Sequence, residues 1–220
     1  MSSREDILAR VRQKLGRNET NATAARAEID TVLAAKRQGP RPHVASEKSA
    51  LVGRFIDKSL AYSSTVDQVA KLAEAPAAIA RYLAGLGLPA QAVIWPKLAG
   101  LDWAGAGVIV QARAAQDADL VGITGCFCAV AETGTLMLCG SADSPAAISL
   151  LPETHIAIVP TSRILPGMEE AFALVLKELD QLPRVLNFIS GPSRTGDIEQ
   201  TIVLGAHGPY RVHLILIDGE

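Results

Sequence analysis

Cysteine is scarce in this sequence: three residues in 220, at Cys126, Cys128 and Cys139. The count is odd and no CxxC group occurs, which argues against a secreted disulfide scaffold. The spacing is equally poor for zinc or iron–sulfur ligation, which uses CxxC-type groups. The three residues read as small hydrophobes, and no metal site is expected in this chain. No apolar run reaches the ~18 residues of a membrane-spanning helix. The opening residues, Met1-Ser-Ser-Arg-Glu-Asp6, are charged and lack the apolar core of a signal peptide, so a cytoplasmic location is expected. The net charge is only −2, which gives no general ground for a nucleic-acid partner. Glycine and proline, at 18 and 12 residues, are near ordinary usage, so collagen-like and low-complexity readings fail.

What is present is material for a core. Hydrophobic residues make up 49% and charged residues 20% of the chain. The length suits one sizeable domain with an appendage, large enough to fold without a staple. Charge is unevenly placed: residues 1–60 hold 12 Lys/Arg against 7 Asp/Glu, and residues 61–220 hold 9 against 16. The basic front suits an anionic partner or, more simply, a solvated helix pair.

Ser2 and Glu5 have the spacing of a capping box. Ile7, Leu8, Val11 and Leu15 then fall on one helical face that Gly16 stops. Residues 19–37 are Ala-rich and can be helical without burying much. The cluster Gln38-Gly-Pro-Arg-Pro-His43 marks a linker. The expected division is therefore a helical appendage with linker over 1–44 and an α/β domain over 45–220. Leu51, Phe55 and Ile56 predict a helix, followed by a strand near Leu60–Ser63. A helix opening at Pro76 ends at Gly85 or Gly87. Short apolar runs at Ala92–Trp95, Gly107–Val110, Leu120–Ile123, Leu136–Leu138, His155–Val159, Val185–Ile189 and Val212–Ile217 predict strands. Helices are expected at Glu169–Leu179, through Phe172, Leu176 and Leu179, and at Asp197–Leu204. Apolar strands alternating with helices predict a largely parallel sheet with helices on both faces and ligands beyond the strands' carboxyl ends.

Three segments hold residues suited to chemistry. In Ala131-Glu-Thr-Gly-Thr-Leu136, Glu132 stands among small and apolar neighbours, where a desolvated carboxylate can act as base or nucleophile or can simply cap a turn. Thr133, Gly134 and Thr135 supply a turn and hydroxyls. In Ile189-Ser-Gly-Pro-Ser-Arg-Thr-Gly-Asp-Ile-Glu199, Ser190, Ser193, Arg194 and Thr195 crowd what reads as a strand-to-helix turn. That arrangement suits a carboxylate or phosphate. The glycines have GxxxxG spacing, but Asp197 and Ile198 stand where a nucleotide P-loop needs Lys-Ser/Thr. Asp197 with Gln200 could equally cap the helix. In Gly205-Ala-His-Gly-Pro209, His207 is a candidate acid/base or a structural histidine.

Ile123-Thr-Gly, Ala131-Glu-Thr-Gly-Thr-Leu136, Leu151-Pro-x-x-His-Ile156, Ile189–Glu199 and Gly205–Pro209 together resemble the LUD-domain family, the lactate-utilisation proteins, over residues 45–220. The short length and helical start are similar to the family's small subunit without a ferredoxin-type cysteine region. The resemblance implies a three-layer αβα fold similar to the ribose-phosphate isomerase, CoA-transferase and formyltetrahydrofolate cyclo-ligase group. It implies a part in oxidising L-lactate to pyruvate, with iron–sulfur clusters in partner subunits and no cofactor in this chain. It places the family's motif positions at Thr124, Glu132, Thr133, Gly134 and Thr135, at Ser190, Gly191, Ser193, Arg194, Thr195, Asp197 and Glu199, and at His207 and Gly208. Glu132 and His207 are the expected catalytic residues and the others the expected small-anion site. A free-standing enzyme acting on a CoA ester, phospho-sugar or folate, and a non-catalytic assembly module, are the alternatives.

Overall fold

Strands rich in Val, Ile and Leu with no polar alternation must be covered on both faces, and here they form the middle of a parallel sheet. In the computed structural model the residues described are 3–18, 20–35, 37, 39–40, 42–44, 46–179, 181–198 and 201–219. Contacts divide the chain into two units, Met1–His43 and Val44–Glu220. The first holds two helices, α1 (Ser3–Lys14) and α2 (Ala22–Ala34), with no buried residue in either. Gly16 takes φ +62° just beyond α1. The Ser2 half of the expected capping box lies outside the described residues.

The second unit contains α3 (Lys48–Ala61), β1 (Thr65–Val69), α4 (Ala75–Gly85), β2 (Gln91–Ile94), β3 (Ile109–Gln111), β4 (Val121–Gly125), β5 (Cys128–Val130), β6 (Thr135–Cys139), β7 (Thr154–Pro160), β8 (Ile164–Leu165), α5 (Met168–Glu178), β9 (Leu186–Ile189), β10 (Arg194–Ile198), β11 (Thr201–Leu204) and β12 (Arg211–Ile217). Six strands form one sheet in the order β1-β12-β7-β4-β2-β3, and every pair is parallel. The α/β expectation around a parallel sheet holds. A second sheet, β8-β5-β6-β9, is mostly antiparallel, and β10–β11 form a separate hairpin.

The elements follow from local chemistry. Glu47 caps α3 by accepting from the Ser49 and Ala50 amides, and Leu51, Phe55 and Ser59 form its buried face. Pro76 opens α4, which buries Ile79 and Leu83. His155 pairs with Val212 in register, so His155 and His213 point to opposite faces of the sheet. Helix α4 covers the His213 face, where Tyr82 stacks on that ring at 3.7 Å. A 3-10 turn at Ala146–Ser149 covers the other face and needs Gly122: a Cβ there would stand 2.1 Å from the Ile148 carbonyl oxygen.

Three expectations are corrected. The predicted strand at Leu60–Ser63 is the last turn of α3 and the bend after it, and β1 starts at Thr65. The predicted helix at Asp197–Leu204 is the β10–β11 hairpin; its Thr, Ile and Val content favours extended backbone over helix. In α5 the buried residues are Ala171 and Val175, while Phe172, Leu176 and Leu179 stay exposed. The small side chains let α5 approach β5 and β8 closely, so amphipathic spacing pointed to the wrong face.

Two buried imidazoles make the fold acid-sensitive. Burial lowers both His155 and His213 to about 4. The unfolded chain, near the ordinary value of ~6.5, therefore takes up protons that the folded chain refuses. Stability is complete above about pH 6.5 and falls as pH drops towards 4, by up to about 3 kcal/mol per histidine. Urea-unfolding midpoints at pH 7.5, 6.0 and 4.5 should decline in that order, and His213→Asn should flatten the decline. Midpoints independent of pH would refute the assignment.

Candidate functional site

Parallel sheets open a crevice where successive connections leave a strand pair in opposite directions. Here β2 is followed by β3 on one side, while β4 is followed across the sheet by β7 and β12 on the other. The gap between β2 and β4 is that switch point. Beyond it lies an open cleft of about 690 Å³. Trp95 and Lys97 enter it after β2, Cys126 and Phe127 after β4, and Pro160 at the end of β7. The second sheet closes the far wall with Cys139, Gly140 and Ser141.

The two central cations of this cleft are in different states. Arg163 donates its Nε to the Phe127 carbonyl at 2.8 Å and its two terminal nitrogens to Glu178 at 2.7 and 2.9 Å. It is neutralised in place and ties β8 to α5. Lys97 has no carboxylate partner among the described residues. Its ammonium lies 4.4 Å from the centre of the Trp95 ring. Desolvation by the cleft walls lowers its pKa, with Cys126, Cys139 and the Asp143 carboxylate opposing that shift. An ammonium on an aromatic face, with no salt bridge among the described residues, is suited to an incoming anion. The hydroxyls behind it are engaged: Ser144 donates to the Cys139 carbonyl and pairs with Ser141 at 2.7 Å.

The sequence-predicted residues lie elsewhere. Thr124 is fully buried on β4, its hydroxyl 2.7 Å from His155 Nε2. Thr133, Thr135 and Ser190 form a chain of hydroxyls with two 2.7 Å links. Gly134 and Gly191, both with positive φ, bring that chain against the end of α3, where a Cβ on either would clash with Lys58 and Ser59 or with Tyr62. Glu132 is half-buried at the β5–β6 turn beside this chain, and no partner of its carboxylate is found among the described residues. Exposed Arg194 donates to the Ser63 hydroxyl; Ser63 itself holds φ +67°. The Ser193 amide donates to the Pro209 carbonyl, which places Ser193 beside Gly208. Thr195 and Asp197 lie in β10 of a hairpin, so the helix-start amides expected to hold an anion are not there. His207 is exposed. Glu199 lies outside the described residues. Apart from Thr124, buried within β4, and Glu199, the predicted set is thus gathered near the start of β1, at the opposite end of the sheet from the cleft.

Lys97, Arg163 and Glu178 were not singled out from the sequence. A lysine two residues after a short strand, Trp95-Pro-Lys97, is the one local signal of the three. His155, which the Leu-Pro-x-x-His motif contained, is a buried partner of Thr124. Among the described residues no group of three or more His, Cys, Asp and Glu stands together as a metal site, and no helix is long and apolar enough to cross a membrane.

Comparison with known proteins adds a frame. A family model described as the LUD domain matches residues 20–217. Lactate utilization protein C of Bacillus subtilis (strain 168) is 42% identical over 101 residues, 44% of this chain and 42% of that one. Lactate utilization protein C 1 of Bacillus mycoides is 43% identical over 109 residues, 48% and 46% of the two chains. The match spans less than half the length of these curated relatives. The crystal structure of a DUF162 family protein from Deinococcus radiodurans superposes with a TM-score of 0.59 at 29% identity, covering 79% of this chain and 100% of that one.

Burial pushes the Cys126 and Cys128 thiols up to about 12 and raises Cys139 as well. At pH 8 the folded protein should therefore alkylate at Cys126 and Cys128 roughly a thousandfold more slowly than the unfolded chain. Mass-spectrometric labelling with iodoacetamide measures this directly. Cys126 reacting as fast as a free thiol would mean that Lys97 activates it.

Proposed function

The chain belongs to the LUD domain family, and from that membership we propose that it serves in lactate utilisation. Its role is that of a subunit in the oxidation of L-lactate to pyruvate, beside partner subunits that carry iron–sulfur clusters. Removing two electrons and two protons from lactate calls for an acceptor, and those partner clusters are the acceptor in this reading. This chain contributes a site for a small anion or cofactor.

The observation that carries the site assignment is Lys97: a cation without a salt bridge among the described residues, on the Trp95 ring, in the cleft at the strand switch point. The relatives named lactate utilization protein C support the lactate assignment. A second location, the Glu132–Thr133–Thr135–Ser190 cluster, is favoured by the unpaired carboxylate beside a hydroxyl chain. The two locations are separable by mutation.

The decisive measurement is lactate-dependent dye reduction by the reconstituted system. Omitting this chain should abolish the activity, and wild type should restore it. Lys97→Gln should restore less than about a tenth of it, the loss expected when a charge-assisted contact is removed. Failure of Glu132→Gln with normal activity of Lys97→Gln would move the site to the other end of the sheet. Full activity without this chain would end the lactate reading.

A further inference from the structure

The crevice above the carboxyl ends of the sheet has a second lobe, and its shape and chemistry name a ligand. This lobe, of about 540 Å³, lies over the ends of β7 and β12 and is lined by Lys48, Leu72, Ile217 and Asp218. Pro160 and Arg163 line both lobes, so the two flank the end of β7 with a common wall. Arg163 is neutralised by Glu178, so that wall does not repel or trap charge by itself.

The first lobe alone has the volume of a drug-sized molecule's pocket, far more than a three-carbon acid fills. The polar groups at the two ends differ. Lys97, after β2, makes no salt bridge among the described residues and is matched to an anion. Asp218 stands directly after β12; its amide donates to the Val69 carbonyl, and its carboxylate has no partner among the described residues. A carboxylate at the carboxyl end of a parallel strand accepts well from a pair of vicinal hydroxyls, the contact by which such sheets hold a ribose. Beyond Asp218, on the side away from Lys97, exposed Leu72 supplies apolar surface for a flat ring, in the phosphate–ribose–base order of a nucleotide. From β2 to β12 there are three strand spacings, about 14 Å. A nucleotide with its phosphates on Lys97 spans that distance once the lysine's own reach is included. Lactate does not.

We propose that the two lobes are one site for a ribonucleotide, with the phosphates on Lys97 and the ribose hydroxyls on Asp218. No glycine-rich loop opens a helix at this place, so side chains supply the phosphate contacts. The proposal rests on reading the switch-point cleft as the binding site, and it stands apart from lactate as the substrate.

The test is calorimetric titration of the full chain with ADP, and with inorganic diphosphate, L-lactate and decanoate as comparison probes. ADP should bind, more tightly than diphosphate. Lys97→Gln and Asp218→Asn should each weaken ADP at least tenfold, while only Lys97→Gln weakens diphosphate. Unchanged circular dichroism and thermal midpoint would establish that both variants fold, and Leu72→Glu provides a third variant that blocks the apolar floor. No ADP binding at millimolar concentration, ADP affinity unmoved by Asp218→Asn, or tight decanoate binding in place of ADP would each overturn the proposal. ADP binding by a chain that proves dispensable for lactate oxidation would instead overturn the functional reading and leave this site standing.

Discussion

Burial of β4, β7 and β12 on both faces governs the rest of this molecule. Three adjacent strands of almost wholly apolar side chains leave no room for charge beside the sheet. The polar side chains buried on them, Thr124, Thr154, His155 and His213, include two imidazoles held uncharged. Charged chemistry is pushed to the strand ends. At the amino end it meets the hydroxyls and tight turns of the second sheet and the hairpin. At the carboxyl end it meets an open crevice.

The two ends are built differently, and the difference bears on function. The amino end is knit by close backbone approaches, with glycines at 134 and 191 seated on the end of α3. Such contacts fix loops in place. Among the described residues the carboxyl end keeps Lys97 and Asp218 without salt bridges while Arg163, between them, is fully engaged. One cation is part of the scaffold and the other is available. The distinction is invisible to net charge and follows entirely from who stands next to whom.

The central strands were legible because apolar runs such as His155–Val159 and Val212–Ile217 have no other plausible use. The motif segments were legible too, and the structure does bring several together: Thr135 reaches Ser190 across 55 residues, and Thr124 reaches His155. The hairpin at 194–204 was not, because Asp197 followed by polar and apolar residues imitates a helix cap while its β-branched content decides the outcome. The cleft was not, because its lining comes from the ends of several elements far apart in the chain. Nothing within a local window marks Lys97 as unpaired or Arg163 as paired with Glu178. The buried face of α5 was misread because small residues, Ala171 above all, win close packing over larger ones.

The sheet's sequence order has a consequence for biosynthesis. Strand β1 has a single neighbour, β12, and the Thr65 to His213 contact joins residues 148 apart. A ribosome extends the chain by roughly 5–20 residues per second, so β1 remains without its partner for several seconds at least after it is made. Over that interval α3, α4 and β1 form an open edge, and β7 offers an unoccupied one. The strand that closes the gap, β12, is made after every other strand of the described residues. The nascent protein thus keeps two open strand edges, the kind that associate edge to edge, until β12 has been made.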